Sequence, residues 1–75
     1  MSNKDKIQLL VDLAQEVEVT DPIDWGMLAI SEEEAYTMMA TSVLETFPDE
    51  KIEIQAVIVK LTVENFVLNL KLMQR

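Results

Sequence analysis

The sequence predicts an all-α fold of three helices plus a short helical turn, with a long amphipathic C-terminal helix and assembly into a dimeric helical bundle. Apolar residues recur at spacings of three and four in three separate stretches, which is the period of a helix. Of 75 residues only one is glycine and two are proline, while 49% are hydrophobic. Such a composition favours regular, folded structure over disorder.

The chain length predicts a single helical domain over residues 1–75. A domain this small buries only about 60% of its unfolded surface and is marginal alone. The sequence contains neither cysteine nor histidine. The domain therefore cannot be stabilised by disulfides or thiolate metal sites, and it has no imidazole for catalysis or metal binding.

The first helix is predicted to open at Ser2, which forms a capping box with Asp5, and to end near Val17. Its expected core face comprises Ile7, Leu10, Val11, Leu13, Ala14 and Val17.

A short helical turn is predicted from Asp21 as N-cap and Pro22 as first helical residue, ending near Leu28. Trp25 is the only tryptophan and Gly26 the only glycine. Trp25 either closes one end of the core or anchors a partner, since tryptophan is enriched among interface hot spots. Gly26 is expected to supply a positive φ or a close approach.

The second helix is predicted to start at Ser31, whose hydroxyl forms a capping box with the Glu34 carboxylate. It is predicted to end at about Phe47, because Pro48 disfavours helical geometry at the residue before it. Its expected apolar face is Tyr36, Met39, Ala40, Val43 and Phe47, flanked by Ala35, Met38 and Leu44.

The long helix is predicted over Asp49–Gln74 and carries apolar residues on two opposite faces. One face is expected to meet the first two helices: Ile52, Ala56, Val59, Val63, Phe66, Leu70 and Met73. The other is the candidate interface with a partner: Ile54, Ile58, Leu61, Asn65, Leu68 and Leu72. Gln55, Lys60, Val57 and Val67 are assigned to the flanks.

Two alternatives stay open for this helix. Residues 52–59 also favour a strand, although the period of two slips near Ala56–Ile58, whereas the helical period continues. Asn65 either fixes the register and number of partners, as a lone polar residue in an apolar seam does, or marks a solvated edge. A rod of about 38 Å would protrude from a globule about 30 Å across, which predicts self-association, most simply as a homodimer, or a bound partner.

The net charge of −8 is concentrated in one part of the chain, because no Lys or Arg lies between Lys6 and Lys51. Direct binding to duplex nucleic acid is not expected, since phosphates require a cationic surface. The acidic region either aids solubility, docks on a basic protein or mimics nucleic-acid charge.

No catalytic, cofactor-binding or metal-binding residues are expected. Asp21, Asp24 and residues 32–34 do not match the ligand pattern of a calcium loop, and no serine or threonine has a histidine to activate it. We therefore expect neither an enzyme nor a small-molecule substrate. Met1 to Lys6 is polar and no run of 18 apolar residues occurs, so we expect no signal peptide, no membrane partner and a cytoplasmic location.

Two segments, DPIDWGML at 21–28 and VENFVLNL at 63–70, resemble small late-promoter transcription accessory proteins of marine T4-type (cyanophage-like) phages. The resemblance implies a coactivator that contacts host RNA polymerase and the phage sliding clamp in the host cytoplasm without reading DNA. In better-known members the clamp contact uses an acidic, hydrophobic tail, whereas this sequence ends KLMQR.

Three functional hypotheses follow. The first is a non-enzymatic interaction module, homodimeric through the long helix and, by resemblance, acting on RNA polymerase. The second is an acidic inhibitor that mimics nucleic acid. The third is a small structural or assembly protein.

Overall fold

The computed structural model describes residues 3–26 and 28–73, and over these ranges the chain is all-helical. The helices are α1 (Asn3–Thr20), α2 (Glu32–Thr46) and α3 (Ile52–Met73), and each packs against the other two. The described residues contain no strand, so the all-α prediction is confirmed and the strand alternative for 52–59 is excluded.

Helix α1 extends to Thr20 rather than ending near Val17. The Val17 carbonyl oxygen near the helix end accepts from the Thr20 hydroxyl at 2.9 Å and from the Asp21 N–H at 3.3 Å. The capping box predicted at the start of α1 involves Ser2, which lies outside the described residues.

The predicted boundaries of α2 are confirmed at both ends. The Ser31 hydroxyl accepts a hydrogen bond from the Glu34 N–H at 3.1 Å, as an N-cap residue does. At the other end the helix stops before Phe47, whose N–H donates to the Val43 carbonyl at 2.7 Å.

The start predicted for α3 is wrong, because the helix begins at Ile52 and not at Pro48 or Asp49. Residues 48–51 form a turn that reverses the chain between α2 and α3. The Phe47 carbonyl accepts from the Gln55 side-chain amide at 2.8 Å and from the Glu50 N–H at 3.3 Å. The turn thus uses residues that sequence reasoning gave to the first helical turn; the predicted end, Gln74, lies outside the described residues.

The short helical turn predicted near 21–28 is not formed by the described residues, since 21–26 and 28–31 are non-helical. Gly26 has a φ of 60°, and a Cβ atom there would lie 3.3 Å from Lys71 Cε. Both expectations for this glycine, a positive φ and a close approach, are confirmed. The positive φ at Gly26 lies outside the right-handed helical region, so a helix cannot continue through this residue.

The buried core consists mainly of valine and alanine, with Leu10 and Tyr36 among its largest fully buried side chains. Its apolar members are Leu10, Val11, Ala14, Ile23, Ala35, Tyr36, Ala40, Val43, Ala56, Val59, Val63 and Val67. Several assignments need correction. Gln55, Lys60 and Val67, placed in the flanks, are buried, whereas Met73 and Phe47, placed on core faces, are exposed. Both are at helix ends, beyond the packed middle of the bundle.

The molecule measures 41 × 22 × 17 Å. Its longest dimension exceeds the length of α3, which is about 33 Å for 22 residues. The expectation that α3 protrudes from a rounder globule is therefore wrong, because the whole bundle is elongated. What remains exposed is one side of α3 rather than one end.

Candidate interaction surface

The residues predicted as an interface lie along the side of α3 that faces away from the core. We call Ile54, Ile58, Leu61, Asn65, Leu68 and Leu72 the outer stripe. Ile54, Leu61, Leu68 and Leu72 are 44%, 53%, 54% and 59% exposed, respectively. Asn65 is also exposed, while Ile58 is partly buried against the core.

This exposure follows from which side of α3 the other helices occupy. Ala56, Val59 and Val63 are nearly inaccessible to solvent, because they meet the core formed with α1 and α2. Residues of the outer stripe are displaced by roughly half a turn from these positions. Apart from Ile58, which packs partly against the core, the stripe is therefore left uncovered by α1 and α2.

A groove between α1 and α3 adjoins the outer stripe. Its apolar lining includes Leu13, Val17, Ala56 and Val57. Val57 is 44% exposed and lies on α3 beside the outer stripe. The apolar surface of α3 thus continues sideways towards α1.

Two ion pairs join the connection between α1 and α2 to α3. Lys60 Nζ lies 2.7 Å from Asp21 Oδ2 and 3.3 Å from Glu64 Oε2. Lys71 Nζ lies 3.1 Å from Asp24 Oδ2. The N-cap role predicted for Asp21 is wrong, because its carboxylate instead pairs with Lys60. Together the pairs connect the segment between α1 and α2 to α3 at positions 60 and 71.

Lys60, which was assigned to a flank, is only 1% exposed and therefore lies on the buried side of α3. Its pKa is raised, chiefly by the hydrogen bond to Asp21, against the opposing effect of burial. A signal was present in the sequence. Position 60 follows Ala56 by four residues and precedes Val63 by three, which is the spacing of the buried face.

Trp25, the candidate partner anchor, packs partly buried beside Tyr36, with ring centroids 6.2 Å apart. Its indole N–H donates to Glu18 Oε2 at 3.1 Å, and the Tyr36 hydroxyl donates to Glu18 Oε1. Burial and the hydrogen bond to Glu18 raise the pKa of Tyr36. These contacts are consistent with Trp25 closing one end of the core. An anchoring role for Trp25 stays a prediction.

The acidic run at the start of α2 is exposed to solvent at Glu32, Glu33 and Glu34. Partial burial, followed by the negative charge of Glu18, raises the pKa of Glu32. Within residues 3–26 and 28–73, no group of three or more acidic side chains is arranged to hold a metal ion.

None of the helices over the described ranges is both long enough and apolar enough to cross a membrane. Comparison of the chain with protein-family models, curated proteins and solved structures gives no match.

Proposed function

We propose that this protein is a non-enzymatic interaction module that forms a homodimer through the outer stripe of α3. The observation that carries the proposal is the exposure of Ile54, Leu61, Leu68 and Leu72 in one continuous line. Contiguous apolar surface of this kind on a small protein marks an interaction site.

Energetics support association through this line. Burying a leucine or isoleucine side chain completely is worth about 1.5–3 kcal/mol, so each half-exposed residue of the stripe offers about 1 kcal/mol. Summed over both copies, this is of the same order as the cost of bringing two proteins together. The dimer should therefore depend on concentration.

Charge does not oppose the contact, although the chain carries −8. The formal charges of Glu53, Lys60, Glu64 and Lys71 within α3 sum to zero, while Lys60 is buried and both lysines pair with carboxylates. No charged residue interrupts the outer stripe itself. Contact through the stripe therefore places apolar side chains, rather than carboxylates, against the second copy.

The test compares two substitutions that add the same charge at two exposed apolar positions. Leu61→Asp lies in the outer stripe, whereas Met38→Asp lies on α2, where the methionine is 45% exposed. Light scattering over a micromolar concentration series should show a dimer for wild type and Met38→Asp, and a monomer for Leu61→Asp. Circular dichroism should show equal helicity in all three.

A wild-type monomer throughout the series would overturn the dimer proposal. Loss of helicity in Leu61→Asp would instead show that this residue belongs to the core of the subunit. Dissociation of Met38→Asp would place the contact on another surface.

The external partner is proposed from the sequence resemblance over residues 21–28 and 63–70. On that basis the module acts as a phage late-transcription accessory factor on RNA polymerase in the host cytoplasm. Affinity capture from lysate, with and without nuclease, tests the assignment. Polymerase retained after nuclease treatment supports it, and polymerase lost with the nucleic acid contradicts it.

An acidic mimic of nucleic acid is the second candidate, favoured by the exposure of Glu32, Glu33 and Glu34 on one helical turn. It predicts salt-sensitive competition with DNA for a target protein. Replacing all three by lysine should abolish that competition. Unchanged competition would contradict mimicry. Capture of no polymerase and no DNA-binding protein would favour the third hypothesis, a structural or assembly component.

A further inference from the structure

We infer that the outer stripe pairs α3 with α3 of a second copy in a parallel, in-register orientation, and that Asn65 selects this arrangement. The inference rests on the homodimer proposed above and adds its geometry. It follows from the spacing of the stripe, from the one polar residue in it and from the charges beside it.

The outer stripe has the spacing of a coiled-coil seam. From Ile54 to Leu72 its members are separated by four, three, four, three and four residues. This assigns Ile54, Leu61 and Leu68 to the d positions of a heptad repeat, and Ile58, Asn65 and Leu72 to the a positions. The d positions thus hold one isoleucine and two leucines, and the a positions hold isoleucine, asparagine and leucine. A single asparagine at an a position specifies the register and the number of strands at a cost in stability.

Asn65 distinguishes the possible orientations. In an antiparallel pair each a residue packs against a d residue, so in every register Asn65 would face an apolar side chain. A parallel pair shifted by one heptad would place it against Ile58 or Leu72. Each alternative buries an amide without a hydrogen-bonding partner, which is unfavourable. Only the parallel, in-register pair brings together two Asn65 amides, each of which both donates and accepts.

The residues beside the seam favour the same orientation. In the parallel pair, Glu64 lies next to Asn69 of the second copy, a neutral hydrogen-bonding partner. In the antiparallel pair with the longest overlap, the two Glu64 carboxylates face each other. Like charges in contact are unfavourable. The salt bridge to Lys60 at 3.3 Å holds Glu64 at this edge.

The subunit leaves room for this pairing. Five of the six stripe residues are exposed, from Ile54 at 44% to Leu72 at 59%, while Ile58 is partly buried against the core. Helices α1 and α2 cover the opposite side of α3. A two-fold axis parallel to α3 therefore places the two bundles on opposite sides of the paired helices.

Cysteine cross-linking tests the orientation cleanly, because the full chain has no cysteine. Ile54→Cys and Leu72→Cys are made separately in the full chain, oxidised alone, and then oxidised as an equimolar mixture after subunit exchange. Positions 54 and 72 are about 27 Å apart along the helix, far beyond the reach of a disulfide. Light scattering on each reduced variant establishes that it still dimerises.

A parallel, in-register dimer cross-links each variant to itself and yields no mixed species. An antiparallel dimer gives the reverse pattern, which would overturn the orientation while leaving the homodimer intact. A monomeric wild type would overturn both, so the two failures are distinguishable.

The role of Asn65 has its own test in the same background. Asn65→Leu should tighten the dimer about tenfold or more, because the cost of the buried amide is removed. It should also allow the mixed cross-link between positions 54 and 72 to appear. A tighter dimer that remained exclusively parallel would overturn the proposal that Asn65 selects the orientation.

Discussion

The two sides of α3 differ in a way opposite to simple expectation, because the smaller apolar residues are inside and the larger ones are outside. The buried side presents Ala56, Val59 and Val63. The outer stripe presents leucine and isoleucine at roughly half exposure. Within α3, the fully buried apolar positions are therefore occupied by alanine and valine rather than by the larger leucines.

The difference has a geometric basis. Small residues let helices approach closely, and interaxial distance depends on the side chains at the contact. Three helices packed through alanine and valine form a bundle only 17 Å across its thinnest dimension. The leucines of the outer stripe lie on the side of α3 that α1 and α2 leave uncovered, which is where we propose the contact with a second copy.

The largest difference between the two sides of α3 is expected when the same charge is placed on each of them. Val63→Asp buries a carboxylate at a position with 0% exposure, while Val57→Asp changes a valine that is 44% exposed. An unpaired buried charge costs far more than a small domain can lose. Val63→Asp should abolish the helical circular dichroism signal.

Val57→Asp is the matched control and should keep its helicity, with at most weaker dimerisation because it adjoins the outer stripe. Equal loss of helicity in both variants would show that the two sides of α3 do not differ as described.

Lys60 sharpens the comparison, because it is the charged residue on the buried side of α3. Its partner Asp21 has a side chain that is 71% exposed, so removal of the lysine leaves that carboxylate hydrated. Lys60→Met keeps most of the buried stem and should change the free energy of unfolding by less than about 1 kcal/mol. Lys60→Ala should cost about 2–4 kcal/mol, because it also leaves a cavity.

Urea unfolding monitored by circular dichroism measures both variants. If Lys60→Met were as destabilising as Lys60→Ala, the ion pair rather than the packing of the stem would be what Lys60 contributes.

The smallest effect at neutral pH is expected at Tyr36, the only tyrosine. Its raised folded pKa means that an unfolded tyrosine ionises near pH 10 while the folded one stays protonated. Tyr36 thus contributes stability that is complete below about pH 10 and falls above it by up to about 1.4 kcal/mol per pH unit. Absorbance of the phenolate should rise together with loss of helicity.

Tyr36→Phe is the control. It should cost about 1 kcal/mol at pH 7, through the lost hydrogen bond to Glu18, and should weaken the alkaline dependence. Phenolate absorbance that rises in the wild type while helicity is retained would contradict the burial of this hydroxyl.

Local sequence signals were sufficient wherever the structure depends on neighbours along the chain. Ser31 caps α2, Pro48 follows its end, and Gly26 takes a positive φ, all as predicted. The outer stripe was also predictable from the sequence, because residues spaced by three and four lie on one side of any helix. The start of α3 was not, since residues 48–51 form a turn and the Gln55 side chain donates across it to the Phe47 carbonyl.

What the sequence by itself determined is the all-helical class, the positions of three helices and the existence of two apolar sides on α3. Tertiary structure alone decided which polar residues the core accepts. The pairing of Asp21 with Lys60, and of Asp24 with Lys71, joins residues far apart in the chain. Helical periodicity relates only residues within a few turns of one another. The two ion pairs form because packing places the connection between α1 and α2 against α3.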